Sequence, residues 1–127
     1  MYFSQSFAWH LLFIMCLDTC WLQLHFTCLT PGIVYPVLKT GNRSKTILCC
    51  FMCWTVSALY LAGHQHNTEL ESFLEGAWTG GFAYTIFNFT TLAMNTEWTV
   101  KATFADTLWG TSLFAIASML TFKVGIV

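Results

Sequence analysis

From Ala102 to Phe122 the chain reads ATFADTLWGTSLFAIASMLTF, an apolar run whose only ionisable side chain is Asp106. At about 1.5 Å per residue such a run covers the ~30 Å hydrocarbon core of a bilayer. The same reading applies to residues 7–26, FAWHLLFIMCLDTCWLQLHF, where Asp18 is the one carboxylate. Residues 46–63, TILCCFMCWTVSALYLAG, and 76–94, GAWTGGFAYTIFNFTTLAM, carry no charge at all. The second run is slightly short and would cross with little tilt. Four runs joined by short linkers predict an all-α integral membrane protein. Its single domain, residues 1–127, would be an antiparallel four-transmembrane-helix bundle.

Composition agrees with this expectation. Of 127 residues, 56% are hydrophobic, 17% aromatic and 9% charged, too few charges for an ordinary aqueous surface. Five Lys and Arg stand against six Asp and Glu, so no basic field exists to attract nucleic acid. A cleaved signal peptide fits the first run poorly. No cation precedes it, and no small-x-small site followed by polar sequence comes after it. The stretch 32–38, GIVYPVL, is too short to span and is bracketed by Pro31 and Pro36, which predicts an interfacial or re-entrant segment.

Cations set the expected orientation. Lys39, Arg43 and Lys45 fall in the first linker and Lys101 in the third, so both should face the cytoplasm or its equivalent. The N- and C-termini and the linker HQHNTELES, 64–72, would then lie on the non-cytoplasmic side.

Two nearly identical tetrapeptides, Asp18-Thr-Cys-Trp21 and Asp106-Thr-Leu-Trp109, sit inside the first and fourth runs. In the expected topology they fall in the same half of the membrane, at the depth of Asn88, Thr90 and Thr91 of the third run. An ionised Asp near a bilayer centre costs about 2.5–3.5 kcal/mol on insertion scales, so it turns inward and finds a partner. The expectation is one buried polar layer of Asp18, Trp21, Asn88, Thr90, Thr91, Asp106 and Trp109. Thr19 and Thr107 are further donors. Each Trp lies three residues beyond its Asp, on the same helical face, where its indole N–H could donate to that carboxylate. Such a layer acts either as a structural lock between helices or as an ion or proton site.

Small residues point to close helix contact. Gly76, Gly80 and Gly81 on the third run and Gly110 on the fourth let neighbouring backbones approach. The cysteines of the second run, including Cys50-x-x-Cys53, read as small hydrophobes, and Cys16 and Cys20 as a face for helix approach. His10, with His64 or His66, lies at comparable depth near the outer ends of the first two runs, and reads as interfacial. No metal site or cofactor is expected, and no G-x-S-x-G, H-E-x-x-H, P-loop or dinucleotide-binding pattern occurs. Nothing indicates an enzyme.

These residues also carry a resemblance. Gly76, Gly80, Ala83, Tyr84, Phe87, Asn88, Thr90, Thr91, Leu92, Ala93, Trp98, Asp106, Trp109 and Gly110 follow, without a gap, the pattern G-x-x-x-G-x-x-A-Y-x-x-Y-D-x-T-N-L-A, Trp, D-x-x-W-G. Leu17, Asp18, Trp21 and Leu22 follow L-D-x-x-W-L. The chain thus resembles the small four-span membrane proteins catalogued as domain of unknown function 2177. The resemblance covers most of the chain, is strongest in the last half, and implies a fold without a particular activity. Three positions depart from the pattern: its second Tyr is Phe87 here, its Asp is Asn88, and its Asn is Thr91. A charge that the third span could have handled is therefore gone.

Two functions fit. The first is a structural or accessory subunit of a larger membrane assembly, an organellar complex or a membrane-containing virion, whose partners are other membrane proteins and lipids. The second is a small oligomeric transporter or channel using Asp18, Asp106 and Lys101. Short linkers, the lost charge and the lack of a broken-helix pair favour the first.

Overall fold

The computed structural model describes residues 1–24, 43–94 and 96–126, all helices and short connections, with no strand among them. Four helices follow one another: α1 (Phe3–Leu24), α2 (Arg43–Ala62), α3 (Glu69–Met94) and α4 (Val100–Ile126). The segment 32–38 and Lys39 lie outside the described residues.

By length and composition α1 and α4 can each cross a bilayer, and α2 contributes a shorter apolar helix, Ile47–Ala62. The helix α3 starts seven residues before the apolar run expected at Gly76, so Glu69, Glu71 and Ser72 are helical rather than part of a linker. The cause is local. Thr68 Oγ1 accepts from the backbone N–H of Glu71 at 3.2 Å, and Glu71 Oε2 accepts from that of Asn67 at 2.9 Å, a capping arrangement close to a Thr-x-x-Glu box. Two glutamates in the first turn also complement the positive end of the helix dipole. Thr99 caps α4 in the same way, its Oγ1 accepting from Ala102 N–H at 3.1 Å. As a result Lys101 belongs to the first turn of α4 and is exposed.

Polarity is arranged inside out. Among the described residues His10, Asp18, Ser72, Asn88, Thr103, Asp106, Ser118 and Thr121 are buried, while Trp78, Phe82, Phe104 and Leu108 are each more than 60% exposed. Water would drive the opposite partition, because apolar surface is what it expels. A hydrocarbon solvent leaves Phe and Trp outside without penalty and requires the polar groups to pair within. The apolar core that remains is small: Ile14 of α1, Ala58 and Leu61 of α2, and Leu113, Phe114 and Ala117 of α4.

The closest contact joins α3 and α4. Buried or half-buried positions on α3 recur every four residues, at Ser72, Gly76, Gly80, Tyr84 and Asn88, which is one helical stripe. Along that stripe Ser72 donates from Oγ to the Ser118 carbonyl at 2.9 Å, Gly76 abuts Phe114, Gly80 abuts Gly110, and Asn88 meets Asp106. Residue numbers rise on α3 as they fall on α4. A Cβ at Gly76 would strike the Phe114 carbonyl oxygen, one at Gly80 the Gly110 carbonyl oxygen, and one at Gly110 the Tyr84 ring. Gly81 is looser, its nearest neighbour being Thr111 Oγ1 at 3.1 Å. The small-residue face therefore works through Gly76, Gly80 and Gly110, with Gly81 at its edge.

Cys16, Cys20, Cys49 and Cys53 are exposed and Cys50 is half-buried, all with free thiols. Cys16 and Cys20 thus stand on the outer face of α1, not on a face that approaches another helix. The inward stripe of α1 is His10, Ile14 and Asp18, spaced by four, and the cysteines lie off it.

Candidate functional site: a crossed aspartate–tryptophan clasp

Asp18 enters from α1, on the stripe that also buries His10 and Ile14, and is 6% exposed. Asp106 enters from the second turn of α4 and is 2% exposed. Neither carboxylate bonds to the tryptophan of its own tetrapeptide. Instead Trp109 Nε1 of α4 donates to Asp18 Oδ1 at 3.3 Å, and Trp21 Nε1 of α1 donates to Asp106 Oδ1 at 3.1 Å. The expectation of an intrahelical bond three residues along is therefore corrected. A side chain in a helix leans toward the N-terminus, so Trp21 and Trp109 share a face with their aspartates while their long rings reach across to the neighbouring helix.

This exchange has a geometric consequence. Because α1 and α4 cross with their sequences in opposite order, the two Asp-Thr-x-Trp units face each other and each supplies what the other lacks. The two indoles meet between the carboxylates, with ring centroids 4.7 Å apart and planes within 11°, a stacked pair. An offset aromatic pair of this kind contributes about 0.5–1.5 kcal/mol beyond its burial.

The remaining carboxylate oxygens are also engaged. Trp54 Nε1 of α2 donates to Asp18 Oδ2 at 2.9 Å, and the Tyr84 side chain of α3 faces Asp18 as well. Asn88 Nδ2 of α3 donates to Asp106 Oδ2 at 2.9 Å and to the Tyr84 carbonyl at 2.9 Å, which fixes which end of the amide faces the carboxylate. All four carboxylate oxygens thus hold an N–H donor from another helix, and every helix contributes at least one donor. Asn88 Oδ1 and Thr107 Oγ1 remain buried without a hydrogen-bond partner at the edge of the layer.

Asp18, Trp21, Asn88, Asp106 and Trp109 come together as the sequence suggested, whereas Thr90 and Thr91 do not join them. Thr90 is exposed, and Thr91 Oγ1 donates to the Phe87 carbonyl one turn back at 2.8 Å. The reasons differ: Thr90, two residues beyond Asn88, is rotated to the opposite face, whereas Thr91, three beyond, lies at the edge of the stripe and spends its hydroxyl proton on its own helix. Thr19 behaves likewise, bonding the Met15 carbonyl at 2.6 Å from an exposed position. Trp54 and Tyr84 were not anticipated. Trp54 sits in a charge-free run, and its one polar atom, the indole N–H, gives no sign of its partner.

No group of three or more His, Cys, Asp or Glu side chains is placed to hold a metal ion among the described residues. The chemistry available to the layer is hydrogen bonding: the indole and amide N–H groups that hold the two carboxyl groups are neutral donors.

Neither a curated protein nor a solved structure matches the chain. The family model described as a predicted membrane protein (DUF2177) matches residues 3–123, a span that takes in α1, α2, α3, α4 as far as Lys123, and every member of the clasp. The chain therefore belongs to the DUF2177 family of predicted membrane proteins.

Proposed function

We propose that the protein is a four-span antiparallel bundle serving as a structural or accessory subunit of a larger membrane assembly. Its crossed clasp locks the helices, and its outer faces pack against lipid and other membrane proteins. One observation carries this reading: each oxygen of Asp18 and Asp106 is already occupied by an indole or amide donor from a neighbouring helix. An ion or proton pathway needs a carboxylate with a vacant side toward solvent, and interhelical hydrogen bonds instead favour a lock. Lys101, the cation nearest the layer in sequence, is exposed on the first turn of α4.

In this arrangement the short apolar part of α2 crosses with local thinning of the bilayer. The ends of α3 and α4, helices of 26 and 27 residues, project beyond the hydrocarbon. Both termini lie on the side opposite Arg43 and Lys45, following the distribution of cations. The outward aromatic side chains supply rigid apolar area for contact with other helices.

The deciding experiment is isolation of the full chain from its native membrane in a mild detergent, followed by native mass spectrometry. A stoichiometric set of other membrane proteins, lost in Asp18→Ala and Asp106→Ala variants, is the expected result. A homogeneous self-oligomer that carries an ion current in liposomes, abolished by the same substitutions, would replace the accessory reading with a transporter.

A further inference from the structure

At the end of the bundle remote from the clasp, a cleft of about 330 Å³ opens between the start of α1, the 63–68 connection and the end of α4. That volume suits a small ligand or a headgroup. His10 lines it and is 4% exposed, yet its Nε2 has no hydrogen-bond partner. A carbonyl can only accept, so the 2.8 Å contact between His10 Nδ1 and the Ser6 carbonyl puts the ring proton on Nδ1. Nε2 then carries a bare lone pair. His66 lines the same cleft and adds a second buried Nε2 without a partner.

What would satisfy such a lone pair is a hydrogen donor or a Lewis acid. The hydroxyls at hand serve elsewhere: Ser72 Oγ donates to the Ser118 carbonyl and Thr121 Oγ1 to the Ala117 carbonyl, each at 2.9 Å, and Ser6 Oγ sits 3.4 Å from His10 Nδ1, beside the other ring nitrogen. A metal is disfavoured, because no third His, Cys, Asp or Glu completes a set among the described residues. An anion offers no proton to a lone pair. Phe3 and Phe122 line the cleft, and aromatic faces attract cations. A group that is both cationic and rich in N–H donors meets every one of these conditions.

We propose that this cleft binds a primary ammonium group, with His10 Nε2 as its principal acceptor and His66 as the second. The ammonium comes from an ethanolamine lipid headgroup or from a free small amine. The site is independent of the clasp and of the assembly reading.

The test uses the full chain, labelled with ¹⁵N-histidine, in phosphatidylcholine nanodiscs, with the His10 Nε2 resonance as readout. Phosphatidylethanolamine replacing part of the lipid, free ethanolamine, tetramethylammonium and Zn²⁺ are added in separate arms. A saturable shift with phosphatidylethanolamine alone assigns the headgroup, and a shift with ethanolamine also assigns the free amine. Either supports the site. His66→Phe should weaken the response about tenfold, the size of one charge-assisted hydrogen bond. His10→Phe should abolish the site, monitored by the remaining His66 resonance. Should His10→Phe fail to fold, His66→Phe alone decides, since His66 lies in a connection and not on the buried stripe. No shift in either amine arm, an equal shift with tetramethylammonium, which has no N–H, or tighter saturation by Zn²⁺ than by any amine would overturn the proposal.

Discussion

Replacing Asp106 by alanine removes the acceptor for two donors at once, Trp21 Nε1 at 3.1 Å and Asn88 Nδ2 at 2.9 Å. In a water-soluble core each buried donor deprived of its acceptor costs about 1–3 kcal/mol. Inside a bilayer the measured value of an interhelical hydrogen bond is smaller, about 0.6 kcal/mol on average and up to about 1.7, because the dissociated helices also find partners. The bilayer figure governs here, so two bonds predict a loss of about 1–3.5 kcal/mol. Asp106→Asn separates geometry from mere polarity. Its carboxamide oxygen keeps one donor while its NH₂ confronts the other, so it should lose about half as much as alanine. A double-mutant cycle of Asp106→Ala with Trp21→Phe, each of which removes the bond, measured by reversible unfolding in mixed micelles, should give a coupling of about 0.6–1.7 kcal/mol. An Asp106→Ala protein within about 0.3 kcal/mol of the parent, or zero coupling in the cycle, would refute the crossed clasp.

Gly80→Ala should destabilise the α3–α4 contact by about 1–3 kcal/mol, because its Cβ would meet the Gly110 carbonyl, a backbone atom that cannot turn aside. Gly81→Ala should be neutral or stabilising by up to about 1 kcal/mol, since Thr111 can rotate and alanine favours the helix; thermal unfolding of the two variants in one detergent compares them directly. Lys123→Ala should shift stability by less than about 1 kcal/mol, for its 2.9 Å ion pair with Glu69 is half exposed on both sides, and added salt should erase the difference. Cys53, exposed on the apolar face of α2, should react with a lipid-soluble maleimide faster than half-buried Cys50. Equal rates in single-cysteine variants would contradict the orientation of α2.

The existence of the helices was legible because each apolar run is long, and run length is the least ambiguous signal a membrane sequence offers. Boundaries were less so. The apolar run of α3 begins at Gly76, yet the helix begins at Glu69, since Thr68 and Glu71 cap it and the glutamates favour its N-terminus. Hydropathy is blind to capping. The two aspartates announced a polar layer through the cost of placing a carboxylate in hydrocarbon, and Asn88 followed as the amide at matching depth. Thr90 and Thr91 were drawn in by depth alone. Depth says how far along a helix a residue lies and nothing about the direction in which it points or the bond it makes: Thr90 faces away from the stripe through Ser72, Gly76, Gly80 and Asn88, and Thr91 gives its hydroxyl proton to the Phe87 carbonyl.

The pairing within the layer was hidden for a different reason. A tryptophan three residues beyond an aspartate is the nearest donor in sequence, and a single helix taken alone would join them. Two such helices running in opposite order change the outcome, because each indole then finds a carboxylate on its partner without bending back over its own turn. The repeated Asp-Thr-x-Trp is self-complementary in the way an isologous contact is, residue i of one unit meeting residue j of the other and j meeting i. Self-complementarity also explains why both copies are needed. With one tetrapeptide a lone indole would reach toward a position with no acceptor, and a lone carboxylate would keep only the donor that α2 or α3 gives it. With two, Asp18 takes Trp109, Asp106 takes Trp21, the rings stack between them, and α2 and α3 supply Trp54 and Asn88 to the oxygens that remain. Substituting both carboxylates tests this logic directly. Asp18→Asn with Asp106→Asn should cost less than the sum of the two singles if the tetrapeptides act as one unit, and strict additivity in that pair would show two separate hydrogen-bond sites that merely share a depth.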